Sequence, residues 1–329
     1  MTNVRVAVVD DWQNVAATSA DWSALRQRAE VVFFQRGFPV GTEAEAAAAL
    51  SGFDIVLPMR ERSTFLAPML KGLPKLRMIS ATGAKAPHID LDYCTENGIV
   101  VSQSTAAIPG YATEMALALM LAAARKLPMA DAGMRQGRFQ DGIGLGIVLR
   151  GRTIGIIGLG KIGTEMAGYA RALGMKVLAW SQNLTEEKAT AAGAELVSKD
   201  ELLARSDVVT LHLVLSSRTR GILGKDDLAR MKDGAILVNT ARGPLIDEAA
   251  LLDALRARKI VAALDVYDEE PLPADHPIRT VPNTILSPHL GFSTVEVFRD
   301  FYQGAIDNII AFLDGAPKRL ANPGVVPKT

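Results

Sequence analysis

His289 stands in Ser287-Pro288-His289-Leu290-Gly291, between a proline and a glycine at the end of a short apolar run, Thr284–Leu286. A histidine at the end of a strand is poised toward a reacting group rather than packed on a helix face. With a carboxylate at hydrogen-bond distance to favour the imidazolium, such a side chain is equipped as a general acid. Glu269 and Glu270, in Glu269-Glu270-Pro271, both qualify as that partner, and one of them is expected to be a solvated loop residue. Arg242 lies in Asn239-Thr240-Ala241-Arg242-Gly243-Pro244, just after another apolar run. Open α/β sheets bind ligands at the carboxyl ends of their strands, so an arginine there either grips a carboxylate with two parallel hydrogen bonds or caps the next helix.

These residues need a scaffold, and the stretch around Gly158 supplies its centre. Thr153–Ile157 reads as a short dry strand, Gly158-Leu159-Gly160-Lys161-Ile162-Gly163 as a glycine turn, and the residues to about Leu173 as a helix. A second strand is expected at Lys176–Trp180. In a dinucleotide site the first glycine permits the tight turn, the second lets backbone approach a pyrophosphate, and the third lets helix pack on strand. The helix start adds free N–H groups and the positive end of a dipole. Gly158, Gly160, Lys161, Ile162 and Gly163 are therefore expected to bind NAD or NADP. Asp265, in Ala263-Leu264-Asp265-Val266-Tyr267, either faces the nicotinamide or caps a turn.

Strand and helix patterns alternate along the chain, which calls for parallel sheets covered on both faces. The expected fold is α/β, with two doubly wound parallel-sheet domains: a flavodoxin-like substrate domain and a Rossmann nucleotide-binding domain. The first spans 1–102 and is completed by 294–329, the second 103–293. Helices are expected near Asp21–Arg28, Thr42–Leu50, Ala112–Lys126, Met129–Gln136 and Val295–Leu313, with a glycine-rich extended arm at Arg138–Arg150. In the first domain Leu76–Ala81 and Ile99–Val101 are among the expected strands.

Among 329 residues, 36 Lys and Arg balance 36 Asp and Glu, so nothing in the charge asks for nucleic acid or an anionic membrane. The apolar fraction of 49% supports two substantial cores. One cysteine, Cys94, rules out an intramolecular disulfide and fits a reducing compartment. The N-terminus enters a strand without a basic-then-apolar leader, and no eighteen-residue apolar run occurs, so a cytoplasmic protein is expected. His88, His212 and His276 lack the clustered partners of a zinc site.

Together these motifs resemble the D-isomer-specific 2-hydroxyacid dehydrogenases, along nearly the whole chain and most strongly from Thr113 to Gly291. The resemblance implies hydride transfer between a nicotinamide and a small 2-oxo or 2-hydroxy acid. The arginine of N-T-x-R-G, here Arg242, would bind the substrate's carboxylate and carbonyl. The glutamate before proline, Glu270, would pair with the histidine of P-H-x-G, His289. Thr113, in Ala112-Thr113-Glu114-Met115-Ala116, Asn239, Thr240 and Asp265 would belong to the cofactor site. Similar proteins are homodimers that pair through the nucleotide domain, here through the helix and arm at Met129–Arg150.

Two departures from the family pattern bear on specificity. The family's G-x-G turn, whose N–H groups hold the substrate carboxylate, is Gly83-Ala84-Lys85 here, with lysine for the second glycine. That change, with Met59-Arg60-Glu61-Arg62 and Ala179-Trp180-Ser181-Gln182-Asn183, resembles a phosphoglycerate-dehydrogenase-like branch and makes Arg60, Gly83, Ala84 and Lys85 substrate-pocket candidates. The acidic residue that normally holds the ribose hydroxyls of NAD is replaced by Ser181, so relaxed nucleotide choice, leaning to NADP, is expected. The chain ends shortly after its last helix, which argues against an appended serine-feedback domain. The other class in view is a nicotinamide-sensing corepressor, whose nucleotide shifts assembly without turnover.

Overall fold

In a computed structural model, which describes residues 4–327, the chain divides into two compact units. The first comprises residues up to Pro109 together with those from Ser293 onward, and the second runs from Gly110 to Phe292. The outermost positions of the expected first domain, 1–3 and 328–329, lie outside the described residues.

The first unit holds five parallel strands: β1 (Val4–Val8), β2 (Ala29–Phe33), β3 (Ile55–Leu57), β4 (Met78–Thr82) and β5 (Val100–Ser104). Their order is β2-β1-β3-β4-β5, that of a flavodoxin-like sheet. β3 and β4 are buried throughout, as strands covered on both faces must be. The helix Val295–Leu313 packs on β4 and β5, where Ser80 and Ser104 donate from their hydroxyls to the carbonyls of Ala305 (3.1 Å) and Phe301 (2.9 Å). Both hydroxyls are buried, as are Thr82 and Ser102 on the same strands. β4 begins at Met78 rather than Leu76 and β5 runs on to Ser104, so the first unit reaches seven residues past 102, to Pro109. The helical stretch expected at 21–28 is shorter, a single turn Ser23–Arg26 whose first N–H donates to the Asp21 carboxylate at 2.9 Å, and a further turn, Ala16–Ser19, precedes it.

The second unit holds seven strands: β6 (Thr153–Ile157), β7 (Lys176–Trp180), β8 (Glu195–Leu196), β9 (Val208–Leu211), β10 (Ala235–Asn239), β11 (Ile260–Leu264) and β12 (Thr284–Leu286). All pair in parallel in the order β12-β11-β10-β9-β6-β7-β8. The order of strand addition reverses at β6, with β7 and β8 on one side and β9 to β12 on the other, so the turn after β6 sits at the switch point of the sheet, where ligands bind such folds. Helices Tyr111–Arg125 and Lys161–Ala172 pack together beside this sheet around Met120, Ile156, Met166 and Ala170. Two elements went unread in the sequence: the two-residue edge strand β8, and the short helix Glu186–Ala191 with Thr185 as its cap. The arm at 138–150 has no regular structure, and it is anchored by an N–H from Ile147 to the carbonyl of Ala124 at 2.8 Å.

Candidate active site

The three glycines after β6 differ in what surrounds them. Gly158 has φ of 103° and faces the backbone of His212, which a Cβ there would meet at 2.8 Å. Gly163 lies against the Gly158 carbonyl, which a Cβ would meet at 2.1 Å. Gly160 has nothing within 4 Å of where its Cβ would be, and no side chain caps the helix that starts at Lys161. Turn, open approach and close helix contact are thus divided among the three, and the open glycine at an uncapped helix start suits a pyrophosphate. Lys161 and Ile162 are exposed there. Ser181, read in the sequence as standing in place of the acid, follows β7, its carbonyl closing a turn with the N–H of Leu184.

The loops after β10, β11 and β12 are laced together. Gly243 abuts the Tyr267 backbone so closely that a Cβ would sit 2.1 Å from its carbonyl carbon, which brings the Arg242 loop against the β11 loop. The Tyr267 N–H donates to Oε1 of Glu270 at 2.9 Å, and its hydroxyl donates to the Ser287 carbonyl at 2.9 Å. The other Glu270 oxygen, Oε2, lies 2.5 Å from Nδ1 of His289. With Nδ1 so engaged, Nε2 is the nitrogen left for a reacting group. His289 sits at φ 53°, a left-handed backbone that histidine tolerates better than most residues. Glu269 makes no such contact and is exposed.

Asp265 is fully buried, and its carboxylate accepts three hydrogen bonds from residues flanking His289: Ser287 Oγ at 2.6 Å, Leu290 N–H at 2.8 Å and Gly291 N–H at 2.8 Å. Burial raises its pKa, and those donors pull it back. Its first role in the chain is therefore to brace the histidine loop. Asn239 likewise shapes a loop: its amide donates to the Arg242 carbonyl and accepts from the Ala241 N–H. Thr113 is buried, its hydroxyl donating to Glu165 on the helix Lys161–Ala172 at 2.7 Å. Thr240, next to Asn239, is half-buried. His212 is half-buried with Nε2 at 3.0 Å from the Thr210 hydroxyl, and desolvation lowers its pKa to about 4.

The remaining sequence candidates lie in the first unit. Arg60 takes φ of 61°, donates its N–H to the Thr82 hydroxyl at 2.8 Å, and lies over Gly83, whose Cβ would meet its Nη1 at 2.5 Å. The Gly83 N–H donates to the Ser104 carbonyl at 2.7 Å. The N–H groups of Ala84 and Lys85, both exposed residues, make no backbone hydrogen bond among the described residues. Asp10, which sequence reasoning missed, is the buried anchor of the Arg60 turn. Its carboxylate accepts from Ser63 Oγ (2.6 Å) and Met59 N–H (3.2 Å), and burial pushes its pKa up to about 7. No helix among the described residues is long and apolar enough to cross a membrane.

Comparison with known proteins agrees with this layout. Residues 117–291 match the family model for the D-isomer specific 2-hydroxyacid dehydrogenase, NAD binding domain. A D-3-phosphoglycerate dehydrogenase of Archaeoglobus fulgidus is 37% identical over 290 residues, 85% of this chain and 55% of its own length. A glyoxylate reductase of Aeropyrum pernix is 38% identical over 267 residues, covering 78% of this chain and 80% of that protein. The crystal structure of a phosphoglycerate oxidoreductase from Vibrio cholerae superposes with a TM-score of 0.89 at 35% identity, over 95% of this chain and all of that one. The chain spans about half the length of the phosphoglycerate dehydrogenases it matches. With the family's NAD-binding domain in place and two parallel α/β sheets behind it, this chain belongs to the D-isomer specific 2-hydroxyacid dehydrogenase family.

Proposed function

We propose that the chain is an oxidoreductase that interconverts a small 2-oxo acid and its 2-hydroxy acid using NAD(H) or NADP(H). The observation that carries this is the 2.5 Å contact between His289 Nδ1 and Glu270, with the second glutamate oxygen tied to the Tyr267 N–H. That arrangement orients the ring and leaves Nε2 to deliver a proton. A nucleotide held by its pyrophosphate at Gly158, Gly160 and Gly163 would supply or accept the hydride at C2 of the substrate. In reduction His289 protonates the carbonyl oxygen as it gains negative charge, and the Glu270 carboxylate offsets the charge on the ring that gives up the proton. Arg242 is assigned to the substrate carboxylate, with Arg60, Gly83, Ala84 and Lys85 as further substrate candidates. Gly158, Gly160, Lys161, Ile162, Gly163 and Ser181 are assigned to the nucleotide, with Thr113, Asn239, Thr240 and Asp265 shaping or lining its strand ends.

A homodimer through the nucleotide unit and a cytoplasmic setting complete the proposal. Leu127, Met129, Met134, Phe139, Leu145 and Val148 are exposed apolar residues on the second short helix and the arm, as a pairing surface requires. The test is oxidation of NADH and NADPH by the purified protein against a panel of 2-oxo acids, beside His289→Ala. Turnover on at least one acid, reduced a hundredfold or more in the variant, is the expected result. A folded His289→Ala protein with intact turnover refutes the assignment.

A further inference from the structure

Tyr267, two residues past Asp265, touches all three loops that carry the candidate site, and every residue involved belongs to the second unit. The Arg242 loop rests on its backbone, since a Cβ on Gly243 would sit 2.1 Å from the Tyr267 carbonyl carbon. Its N–H donates to Glu270 Oε1 at 2.9 Å within its own loop. Its hydroxyl donates to the Ser287 carbonyl at 2.9 Å, across to the loop of His289. Tyr267 is buried, and burial pushes its hydroxyl up to about 12, so the group keeps its proton and stays a donor near neutral pH.

Glu270 and His289 are 19 residues apart and sit on the loops of different strands, so no local turn fixes the 2.5 Å between them. A hydrogen bond weakens steeply as distance and angle depart from ideal, so the separation of the two loops governs this contact. Asp265 secures one side of it: its carboxylate accepts from Ser287, Leu290 and Gly291, all beside the histidine. Tyr267 secures both sides, Glu270 through its N–H and Ser287 through its hydroxyl. Ser287, two residues before His289, is thereby held at each of its polar groups. Its N–H donates to the Leu264 carbonyl at 2.8 Å, its hydroxyl to Asp265, and its carbonyl accepts from Tyr267.

We propose that Tyr267 is a positioning residue for the proton transfer, its N–H and hydroxyl together setting the separation of Glu270 from His289. This deepens the oxo-acid reaction proposed above and rests on it. Phenylalanine at this position keeps the ring, its packing and the N–H bond to Glu270, and removes only the tie to Ser287. The β12 loop is then free to move against Glu270, and the side-chain contact that orients the imidazole lengthens.

The experiment compares wild type, Tyr267→Phe, Glu270→Ala and the double variant in steady-state reduction of the oxo acid that the wild type turns over best. Tyr267→Phe should lower kcat about tenfold, equivalent to about 1.4 kcal/mol and within the cost of leaving a buried carbonyl unpaired. KM for the oxo acid and for the nucleotide should stay within about threefold of wild type, because binding groups are untouched. On the Glu270→Ala background the same change should lower kcat less than about twofold, since no pair is left to set. A second readout needs no turnover: long-range proton–nitrogen spectra of histidine-labelled protein, with four histidines and His289 identified through His289→Ala. The His289 Nδ1 signal of Tyr267→Phe should move from its wild-type position toward that of Glu270→Ala. Equal losses of kcat on both backgrounds, or an unmoved Nδ1 signal, overturn the positioning role and leave the reaction standing. Absence of wild-type turnover overturns the reaction, and the Nδ1 signal then decides by itself whether Tyr267 sets the pair.

Discussion

Replacing Asp265 with asparagine separates two roles that a strand-end acid can have. The carboxylate uses Oδ1 for the Ser287 hydroxyl and the Leu290 N–H and Oδ2 for the Gly291 N–H, all within 2.6–2.8 Å. An asparagine amide has one oxygen, so in either orientation its NH2 meets a backbone N–H at a distance suited to an acceptor. One charge-assisted hydrogen bond is lost, at about 1.5–3 kcal/mol, and a donor faces a donor. Against this, burial disfavours the ionised form of Asp265, so a neutral side chain recovers part of the cost. The balance is roughly 1–3 kcal/mol against the observed loop, a drop of about 5- to 150-fold in the ratio of placed to displaced His289 and the upper bound on the loss of enzyme with His289 in place. Steady-state kinetics with the nucleotide varied should therefore show kcat down by up to that factor and KM for the nucleotide within about threefold of wild type. A tenfold rise in nucleotide KM at unchanged kcat would refute the brace and make Asp265 a cofactor contact.

Gly160→Ala should leave thermal stability as it is, since nothing lies within 4 Å of the new methyl, yet weaken nucleotide binding at least tenfold by fluorescence titration; wild-type affinity would remove the pyrophosphate from this turn. Arg242→Lys should raise KM for the oxo acid and lower kcat, because an ammonium cannot form the two-pronged contact of a guanidinium, and unchanged kinetics would count against a clamp. Catalytic efficiencies with NADH and NADPH should lie within about tenfold of each other, and Ser181→Asp should move the ratio toward NADH by repelling the extra phosphate. Asp10 has its pKa raised from 3.8 to about 7, so the folded chain holds a proton that the unfolded chain has released between those values. Its contribution to stability therefore falls as pH rises from about 4 to about 7 and is level above. Relative to wild type, Asp10→Asn should gain up to about 4 kcal/mol across that window in urea unfolding, and a constant difference would show that the carboxyl is not titrating there.

What the sequence disclosed is what local chemistry enforces. The apolar runs of β6, β9, β10 and β11 are buried on both faces of a parallel sheet, so they read as strands without any neighbour in view. The glycines after β6 could be assigned separate tasks because each task is a property of one or two bonds and the helix that follows. Elements held by tertiary contact left weaker marks. β8 is two residues long and exists because it pairs with Leu178 and Ala179, and the lower edge of β4 is set by the Asp54 carbonyl, which takes the N–H groups of both Arg77 and Met78.

The supports of the candidate site follow the same division. Asn239 closes a turn on Ala241 and Arg242, two and three residues on, and an asparagine before a glycine-containing loop is a recognisable sign of that. Asp265 reaches partners 22 to 26 residues away, and Thr113 reaches Glu165 across 52. No periodicity encodes those distances. The sequence marks Asp265 as a polar residue at the end of a dry strand, which is the signature of a ligand contact and of a loop brace alike. What separates the two is how many of its acceptor positions the chain itself consumes: three donors already occupy a carboxylate with about four, leaving room for at most one more. Glu270 shows the converse, since one oxygen serves the Tyr267 N–H and the other serves His289, so one of its two partners is a side chain with a second ring nitrogen to spare rather than a loop that must be held.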